Sequence, residues 1–382
     1  MAPPNPSGSS SLGKVMVIGG TGFLGHHVVA LLLKRYRTDG IFVVDLCISQ
    51  NRQPDTDRVQ YHEADITCTP RLFETFEACR PDVVIHTASP LPQVDVQSTR
   101  ALYDKVNVRG TQCIIEACQK YGVKALVYTS SASVISDHSS DLINADEEWP
   151  RPRGQDQPEY YAESKAQAED LVIAANRQEP FKLLTAVIRP SGIIGEGDRM
   201  ILPRFINIYQ EGFAYIQVGS NENLFDFTYV GNVAHGHLLA AEALLKTDDS
   251  ELRLDRRVDG QCFFITNDSP MYFWDFARAV WIAAGFSYDM RRVWVIPESV
   301  ALFLGLLSEI FFALIRKPAT FNRRRVAFSC MTRYYNISKA KTLLGYKPLY
   351  TFDEVLKQSV QWCLEKDRRS KLESAEEEKK TA

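Results

Sequence analysis

The chain has 382 residues, of which 45% are hydrophobic and 24% charged, and its formal net charge is −3 at pH 7. This length and composition indicate an α/β protein with a sizeable core and room for a second lobe. The slight negative charge provides no positive field to attract phosphates, so we expect no nucleic-acid partner. The eight cysteines include no C-x-x-C pair, which predicts reduced thiols and neither a disulfide framework nor a metal site.

The beginning of the chain changes character after residue 12. Residues 1–12 are rich in proline, serine and glycine and contain no apolar core, so we expect a disordered N-terminus that is not a signal peptide. The apolar run that follows Lys14 has the composition of a buried parallel strand.

A glycine-rich turn follows this strand and leads into an apolar segment with helical periodicity. Gly19, Gly22 and Gly25 have the G-x-x-G-x-x-G spacing, in which the glycines permit a tight turn, a close backbone approach to a pyrophosphate and close packing of helix on strand. We therefore expect this turn to bind a dinucleotide through Gly19, Thr21, Gly22, Phe23, Leu24 and Gly25.

The second strand ends in an acidic residue, Asp45, which lies 26 residues after Gly19. In a Rossmann fold a carboxylate at this place binds the adenosine ribose 2′-hydroxyl. Because it would also repel the 2′-phosphate of NADP, we expect NAD as the cofactor.

Strands and helices continue to alternate up to residue 198, which predicts an α/β fold with a doubly wound parallel sheet. Ligands bind outside the carboxyl ends of such strands, so the residues that follow each strand are candidates for the cofactor site. They are Asp65, which could meet the adenine amino group, and Ile66, together with Ala88, Ser89 and Pro190. Ser131 follows a further strand at the same edge.

Tyr161 and Lys165 lie four residues apart in a segment of good helix formers. This spacing places both side chains on one helical face, where the ammonium could lower the phenol pKa from its usual value of about 10. The pair predicts a tyrosine general base, with Ser131 in the same pocket. In a probable helix after Asp226, His235 and His237 have no carboxylate or cysteine at ligand spacing, so we expect structural roles for them.

The most apolar stretch of the chain is 297–315, which is followed by the basic residues Arg316 and Lys317. It is shorter than the ~20 residues of a membrane span, and Glu309 would be costly at the centre of a bilayer. We expect a helix that lies in the membrane interface or re-enters it. The alternative is a helix buried against the substrate lobe.

The motifs together resemble those of the extended short-chain dehydrogenase/reductases, in the 3β-hydroxysteroid dehydrogenase branch. Within that branch they are most similar to fungal sterol-4α-carboxylate 3-dehydrogenases (decarboxylating). The resemblance runs from about residue 14 to about residue 365 and rests on GGTGFLG, HTASP, YTSSAS, Y-x-x-x-K, RPSGIIGEGD and DFTYVGNVAHGH. It implies that Ser131, Tyr161 and Lys165 are catalytic and that Asn107 organises a proton relay.

The resemblance further implies NAD-dependent oxidation of the C3 hydroxyl of a 4-carboxysterol, with loss of the carboxylate as carbon dioxide during ergosterol-type sterol synthesis. Such an enzyme would work at the cytosolic face of the endoplasmic reticulum membrane, with other sterol C4-demethylation enzymes and a second copy of itself as candidate partners. Four alternatives stay open: the same reaction on a fungal triterpenoid, a plain 3β-hydroxysteroid dehydrogenase, a nucleotide-sugar epimerase and an NAD-binding module without turnover.

The expected domain organisation follows from these assignments. Residues 13–198 form the NAD-binding Rossmann domain, with sheet and lobe interleaved to about residue 265. Residues 199–365 form a smaller C-terminal α/β substrate lobe that includes the apolar segment 297–315. Residues 366–382 form a charged tail that is either disordered or a frayed, solvated helix.

Overall fold

The computed structural model describes residues 11–54, 58–92, 97–247, 256–287, 292–317, 319 and 321–381. The strands are β1 (Lys14–Ile18), β2 (Gly40–Asp45), β3 (Val59–Glu63), β4 (Val83–His86), β5 (Ala125–Thr129), β6 (Leu142–Ala145), β7 (Leu184–Pro190), β8 (Gly192–Ile194), β9 (Ile216–Val218), β10 (Leu224–Phe225), β11 (Phe227–Tyr229), β12 (Gln261–Ile265), β13 (Met271–Tyr272), β14 (Trp294–Ile296) and β15 (Arg333–Tyr335).

The helices are α1 (Phe23–Arg35), α2 (Thr69–Cys79), α3 (Gln97–Tyr103), α4 (Thr111–Tyr121), α5 (Tyr160–Ala174), α6 (Ile201–Gln210), α7 (Val230–Leu245), α8 (Phe273–Ala283), α9 (Glu298–Leu314), α10 (Arg323–Cys330), α11 (Ser338–Leu343) and α12 (Phe352–Thr381). A π-helical segment, Asp104–Gly110, joins α3 to α4, and short 3-10 helices lie at Ala132–Ile135 and Gly154–Asp156.

Seven parallel strands form the central sheet in the order β12-β7-β5-β4-β1-β2-β3. Except in the edge strand β3, where only Val59 is buried, the strand residues are mostly buried on both faces. In β1, Val15 and Val17 point into one core and Met16 and Ile18 into the other. Near-continuous apolar runs of this kind are typical of parallel strands covered on both sides.

Helices cover both faces of this sheet. The first core contains side chains of α1 and α7, such as Val28 and Val233, whereas the second contains side chains of α2, α4 and α5, such as Phe76 and Val172. The chain therefore has the doubly wound α/β fold that the alternation of strands and helices predicts.

A third core, rich in aromatic residues, lies in the C-terminal half of the chain. It joins α6, α8 and α12 through Phe205, Phe276 and Val360. Small sheets extend this lobe, and one of them pairs β6 with β15. β6 comes from the residues assigned to the Rossmann domain and β12 belongs to the central sheet, so the two parts of the chain are interleaved through the sheets.

The described residues near both ends of the chain are ordered. Residues 1–10 of the predicted disordered segment lie outside the described residues. Leu12 is fully buried in the first core, and its N–H donates to the Arg37 carbonyl, so the prediction is wrong at this residue. Residues 366–381 continue α12 as helix.

The apolar segment forms α9, a helix of 17 residues. Only Ala301, which belongs to the third core, and Gly305, which lies against the start of α10, are buried in it. The alternative of a helix buried against the lobe is therefore wrong. Among the helices in the described ranges, none is long and apolar enough to cross a membrane.

Candidate active site

The glycine-rich turn lies between β1 and α1. Gly19 has φ +80°, and a Cβ there would lie 2.6 Å from the Ala88 nitrogen, while a Cβ on Gly25 would overlap the Gly19 carbonyl oxygen. Gly22 is the N-cap of α1, and its N–H donates to the Gly19 carbonyl at 3.0 Å. The turn thus keeps side chains away from a helix N-terminus, and a dinucleotide phosphate fits this arrangement of groups.

Asp45 lies beside this turn at the end of β2. Its Oδ2 accepts a hydrogen bond from the Thr21 N–H at 3.0 Å, and its Oδ1 accepts one from the Leu46 N–H at 2.8 Å. The Thr21 hydroxyl donates to the Cys47 carbonyl, which fixes the loop around the carboxylate. Asp45 is half-buried and keeps lone pairs that could accept ribose hydroxyls.

Asp65 and Ile66 follow β3 at the same edge of the sheet. Asp65 Oδ1 accepts hydrogen bonds from the N–H and the hydroxyl of Thr67, both at 2.8 Å, and the Lys105 ammonium lies 3.8 Å from Oδ2. Partial burial acts to raise the pKa of Asp65, but these partners outweigh it and lower the pKa. Ile66 packs against Gly110, where a Cβ would lie 2.7 Å from its Cδ1.

Asn107 lies in the π-helical segment and is 1% exposed. Its Oδ1 accepts from the Ser89 hydroxyl at 3.0 Å, and its Nδ2 donates to Ser164 Oγ at 2.9 Å. Ser164 in turn donates to the Tyr161 carbonyl at 2.8 Å. Asn107 therefore connects the turn after β4 with the helix that carries Tyr161, and π-helical turns are frequent at functional sites.

Tyr161 lies in the first turn of α5, with its ring 5.6 Å from that of Tyr103. Burial raises the pKa of Tyr161 to about 12, although hydrogen bonding with Ser89 and Ser131 acts to lower it. The expectation of a lowered phenol pKa is therefore wrong: the pKa of Tyr161 is raised. The groups that act to lower it are the hydroxyls of Ser89 and Ser131, and not the Lys165 ammonium.

Lys165 is 1% exposed and lies one helical turn after Tyr161. Its ammonium donates to the Thr129 carbonyl at 2.8 Å and lies 5.0 Å from the centre of the Tyr128 ring. Burial lowers the pKa of Lys165 to about 7. The end of β5 thus holds the ammonium in a site without solvent.

Ser131 follows β5 and caps a 3-10 helix. Its Oγ accepts from the Ser133 N–H at 3.2 Å and from the Ser133 hydroxyl at 2.8 Å. Because these bonds use the lone pairs of Ser131, its own proton is left to donate to another oxygen. Pro190, at the end of β7, pairs with Ile265 and is buried in the sheet.

A buried ion pair holds α5 against the sheet. Glu169, on the same face of α5 as Lys165, is fully buried and accepts from Arg189 of β7, with 3.0 Å between Arg189 Nε and Oε2. Arg151 also donates to this carboxylate at 2.9 Å. The sequence did not predict this pair, since two charges 20 residues apart carry no local pattern.

Two contacts near Lys165 were also not predicted. Thr129 supplies the carbonyl for its ammonium, and His237 of α7 lies 2.7 Å from the Thr129 hydroxyl. Both belong to motifs that were noted, YTSSAS and DFTYVGNVAHGH, but only the fold brings α7 against β5. In the parts of the chain that the structure describes, no group of three His, Cys, Asp or Glu side chains is placed to hold a metal ion.

Comparison with known proteins agrees with this geometry. A model of the 3-beta hydroxysteroid dehydrogenase/isomerase family matches residues 16–298. The chain belongs to this family. The resemblance inferred from the motifs is therefore confirmed.

The similar relatives include decarboxylating sterol-4-alpha-carboxylate 3-dehydrogenases. The enzyme of Candida albicans is 40% identical over 94% of this chain and 99% of its own length. The enzyme of Saccharomyces cerevisiae is 38% identical over 92% and 98%, and that of Mus musculus 37% over 91% and 90%.

Solved structures share the fold at lower sequence identity. UDP-glucose 4-epimerase of Thermotoga maritima has a TM-score of 0.67 and 20% identity, over 92% of this chain and 99% of its own. The dTDP-glucose 4,6-dehydratase of Bacillus anthracis, solved with NAD, has a TM-score of 0.65 and 20% identity, over 93% and 97%. Both confirm the α/β fold.

Proposed function

We propose that this protein oxidises the C3 hydroxyl of a 4α-carboxysterol with NAD and releases the 4-carboxylate as carbon dioxide. One observation carries the proposal: Ser131 and Tyr161 converge in a chain that matches the sterol-4-alpha-carboxylate 3-dehydrogenases over nearly its full length. These sterol-named relatives do not favour a triterpenoid substrate.

NAD would be held by the glycine turn, Asp45 and Asp65, and when bound it supplies the acceptor for the C3 hydride. Tyr161 removes the hydroxyl proton as a general base, and Ser131 donates a hydrogen bond to the same oxygen and orients it. The phenol is protonated at rest because burial raises its pKa to about 12. To act as the base, Tyr161 must first lose this proton to solvent, and hydrogen bonding with Ser89 and Ser131 favours the phenolate that remains. This phenolate would be favoured further by the positive nicotinamide ring of bound NAD.

The second half of the reaction uses the same two side chains. Oxidation gives a β-keto acid in which the C4–carboxylate bond can break, with its electron pair moving to form an enolate at the C3 oxygen. Ser131 and the protonated Tyr161 donate to this oxygen and stabilise the developing charge. Carbon dioxide leaves as this bond breaks, and a proton then adds to C4 to give the ketone.

We also propose that α9 lies in the interface of a membrane, at the cytosolic face of the endoplasmic reticulum, where a sterol substrate would be dissolved. Apolar side chains on this helix are strongly exposed: Phe303 (59%), Leu307 (47%), Ile310 (52%), Phe311 (58%) and Leu314 (79%). Trp294, on β14 just before the helix, is 77% exposed. The exposed Arg316 and Lys317 follow α9 and could meet anionic headgroups.

The reaction is tested by following NADH and carbon dioxide together. Purified protein is incubated with NAD and a 4α-carboxysterol, and with a triterpenoid acid in parallel. We expect equal amounts of NADH and carbon dioxide from the sterol. NADH without carbon dioxide would leave a plain 3β-hydroxysteroid dehydrogenase, turnover of the triterpenoid alone would reassign the substrate, and no NADH from either would refute the proposed activity.

A further inference from the structure

His237 is a fully buried histidine, and Thr129 contacts both His237 and Lys165. His237 lies on α7, which packs against β5. Its Nδ1 is 2.8 Å from the Val233 carbonyl oxygen, and its Nε2 is 2.7 Å from the Thr129 hydroxyl. Both ring nitrogens of His237 are thus hydrogen-bonded.

The chemistry of these partners fixes the tautomer of His237. A carbonyl oxygen can only accept, so Nδ1 carries the proton that is donated to Val233. Burial lowers the pKa of His237 to about 4, with the charge of Lys165 acting in the same direction, so the ring is neutral near pH 7. Nε2 is then an acceptor, and the Thr129 hydroxyl donates to it.

Thr129 transmits this contact to the residues proposed for catalysis. It is the last residue of β5, its carbonyl accepts from the Lys165 ammonium at 2.8 Å, and Ser131 follows two residues later. A hydrogen bond that fixes the Thr129 side chain also restrains the Thr129 backbone. That backbone supplies the carbonyl for the Lys165 ammonium and leads directly to Ser131.

We propose that His237 is a positioning residue for the oxidation: its Nε2 accepts from Thr129 and thereby aligns the Thr129 carbonyl with the Lys165 ammonium. This inference rests on the proposed function and on the catalytic role that the family resemblance implies for Lys165, because His237 would act through Lys165. It replaces the expectation of a purely structural histidine at this position.

Two substitutions remove the contact from opposite ends. Thr129→Val keeps the β-branched shape but loses the hydroxyl, and His237→Leu loses the acceptor. We expect each to lower kcat by about 10- to 100-fold with little change in the KM for sterol, since small misplacements of catalytic groups have effects of this size. The double variant should lose no more than the worse single variant, because both remove one contact.

Conservative variants and a matched control separate positioning from packing. Thr129→Ser keeps the hydroxyl and His237→Gln can keep an acceptor, so both should recover most of the kcat. His235→Leu alters a second histidine on α7, whose ring faces Tyr346 at 6.0 Å, and should leave kcat unchanged. Losses of similar size in His235→Leu and His237→Leu would overturn the inference.

A measurement without substrate distinguishes this inference from the proposed function. NMR titration of protein with ¹³C-labelled lysine can resolve Lys165, whose buried ammonium has a pKa of about 7, and Lys165→Met assigns its signal. We expect Thr129→Val and His237→Leu to lower this pKa by about half a unit or more, because the carbonyl no longer favours the charged form. An unchanged titration would overturn the inference, whereas an inactive wild-type enzyme with the expected shifts would refute only the proposed reaction.

Discussion

At the scale of single residues, the proposed reaction depends on the Tyr161 phenol. We expect Tyr161→Phe to lower kcat by at least about 100-fold, since acid–base groups typically supply 10²- to 10⁴-fold. NAD should still bind, because the glycine turn and Asp45 are unchanged. Steady-state rates and NADH fluorescence measure the two effects.

The neighbouring tyrosine is a matched control for this prediction. Tyr160 donates to Asp104 Oδ1 at 2.6 Å, whereas Ser89 and Ser131 are hydrogen-bonding partners of Tyr161. Tyr160→Phe should therefore retain most of the activity. If Tyr161→Phe kept more than about a hundredth of the rate, the assignment of the general base would be wrong.

Asp45 is expected to determine the choice between NAD and NADP. Asp45→Asn keeps an acceptor for the Thr21 N–H but removes the negative charge beside the turn. Hydrogen bonds to charged groups are worth about 1.5–3 kcal/mol, so we expect kcat/KM for NAD to fall by about 10- to 100-fold. The ratio of NADP to NAD use should rise by a similar factor.

An exposed aspartate at the other end of β2 is the control for this prediction. Asp39 immediately precedes the first residue of β2, whereas Asp45 is its last, so Asp39→Asn should leave the cofactor ratio unchanged. An unchanged ratio in Asp45→Asn would show that this carboxylate does not select the cofactor.

The candidate residues could be picked out from the sequence because most of them follow local patterns, while their roles stay predictions. The glycine spacing, Asp45 and the Y-x-x-x-K pair are all short-range signals, and the structure places them beside the carboxyl ends of β1, β2 and β5. The raised pKa of Tyr161 was not predictable, since it reflects burial beside Tyr103, which is 58 residues away in the chain. The same limit applies to His237, which reaches Thr129 over 108 residues.

At the scale of elements, α9 is the helix whose surface differs most from that of an ordinary globular protein. Its apolar composition predicted a membrane helix or a buried one, and composition alone could not separate them. The structure excludes burial of the helix as a whole, because only Ala301, in the third core, and Gly305, against the start of α10, are buried. Glu309, which interrupts the apolar run, accepts from the Arg323 N–H at 2.8 Å and so joins the two helices.

The exposed face of α9 leads to a test of membrane contact. Phe303, Leu307 and Phe311 lie at four-residue intervals on this face, and a variant with all three changed to serine loses much of its apolar surface. We expect wild-type protein to float with vesicles of phosphatidylcholine and phosphatidylserine, and this variant to remain largely in the dense fraction.

The control for flotation removes comparable side chains elsewhere. Ile143, Phe181 and Leu372 are 55%, 43% and 59% exposed and belong to other parts of the surface. Their replacement by serine should leave flotation unchanged. Equal flotation of the α9 variant and the wild type would refute membrane contact through α9.

At the scale of the whole molecule, the doubly wound sheet was predictable because each strand and helix has a clear local signal. The way in which the central sheet and the C-terminal lobe are joined was not predictable, because it depends on contacts between residues that are distant in the sequence. Asp226 illustrates this: its carbonyl accepts from Ser191 after β7, while its Oδ2 accepts from the Tyr335 N–H of β15. One residue thus connects both parts of the protein.

Asp226 also gives the stability of the molecule a distinct pH dependence. It is 1% exposed, and burial raises its pKa from 3.8 to about 7. In the unfolded chain the carboxyl ionises near pH 4, whereas in the folded chain it stays protonated until about pH 7. Folding therefore becomes progressively less favourable between these pH values, as the unfolded state releases a proton that the folded state retains.

We expect Asp226→Asn to remove this dependence, because asparagine can still accept from the Tyr335 N–H and does not ionise. Near pH 4 the two proteins should differ little in their free energy of unfolding. At pH 8 the variant should be more stable by a few kcal/mol, since each unit of pKa shift corresponds to about 1.4 kcal/mol. Urea unfolding at both pH values measures the difference, and a difference that did not grow with pH would mean that the buried carboxylate is stabilised by its neighbours as well as by water.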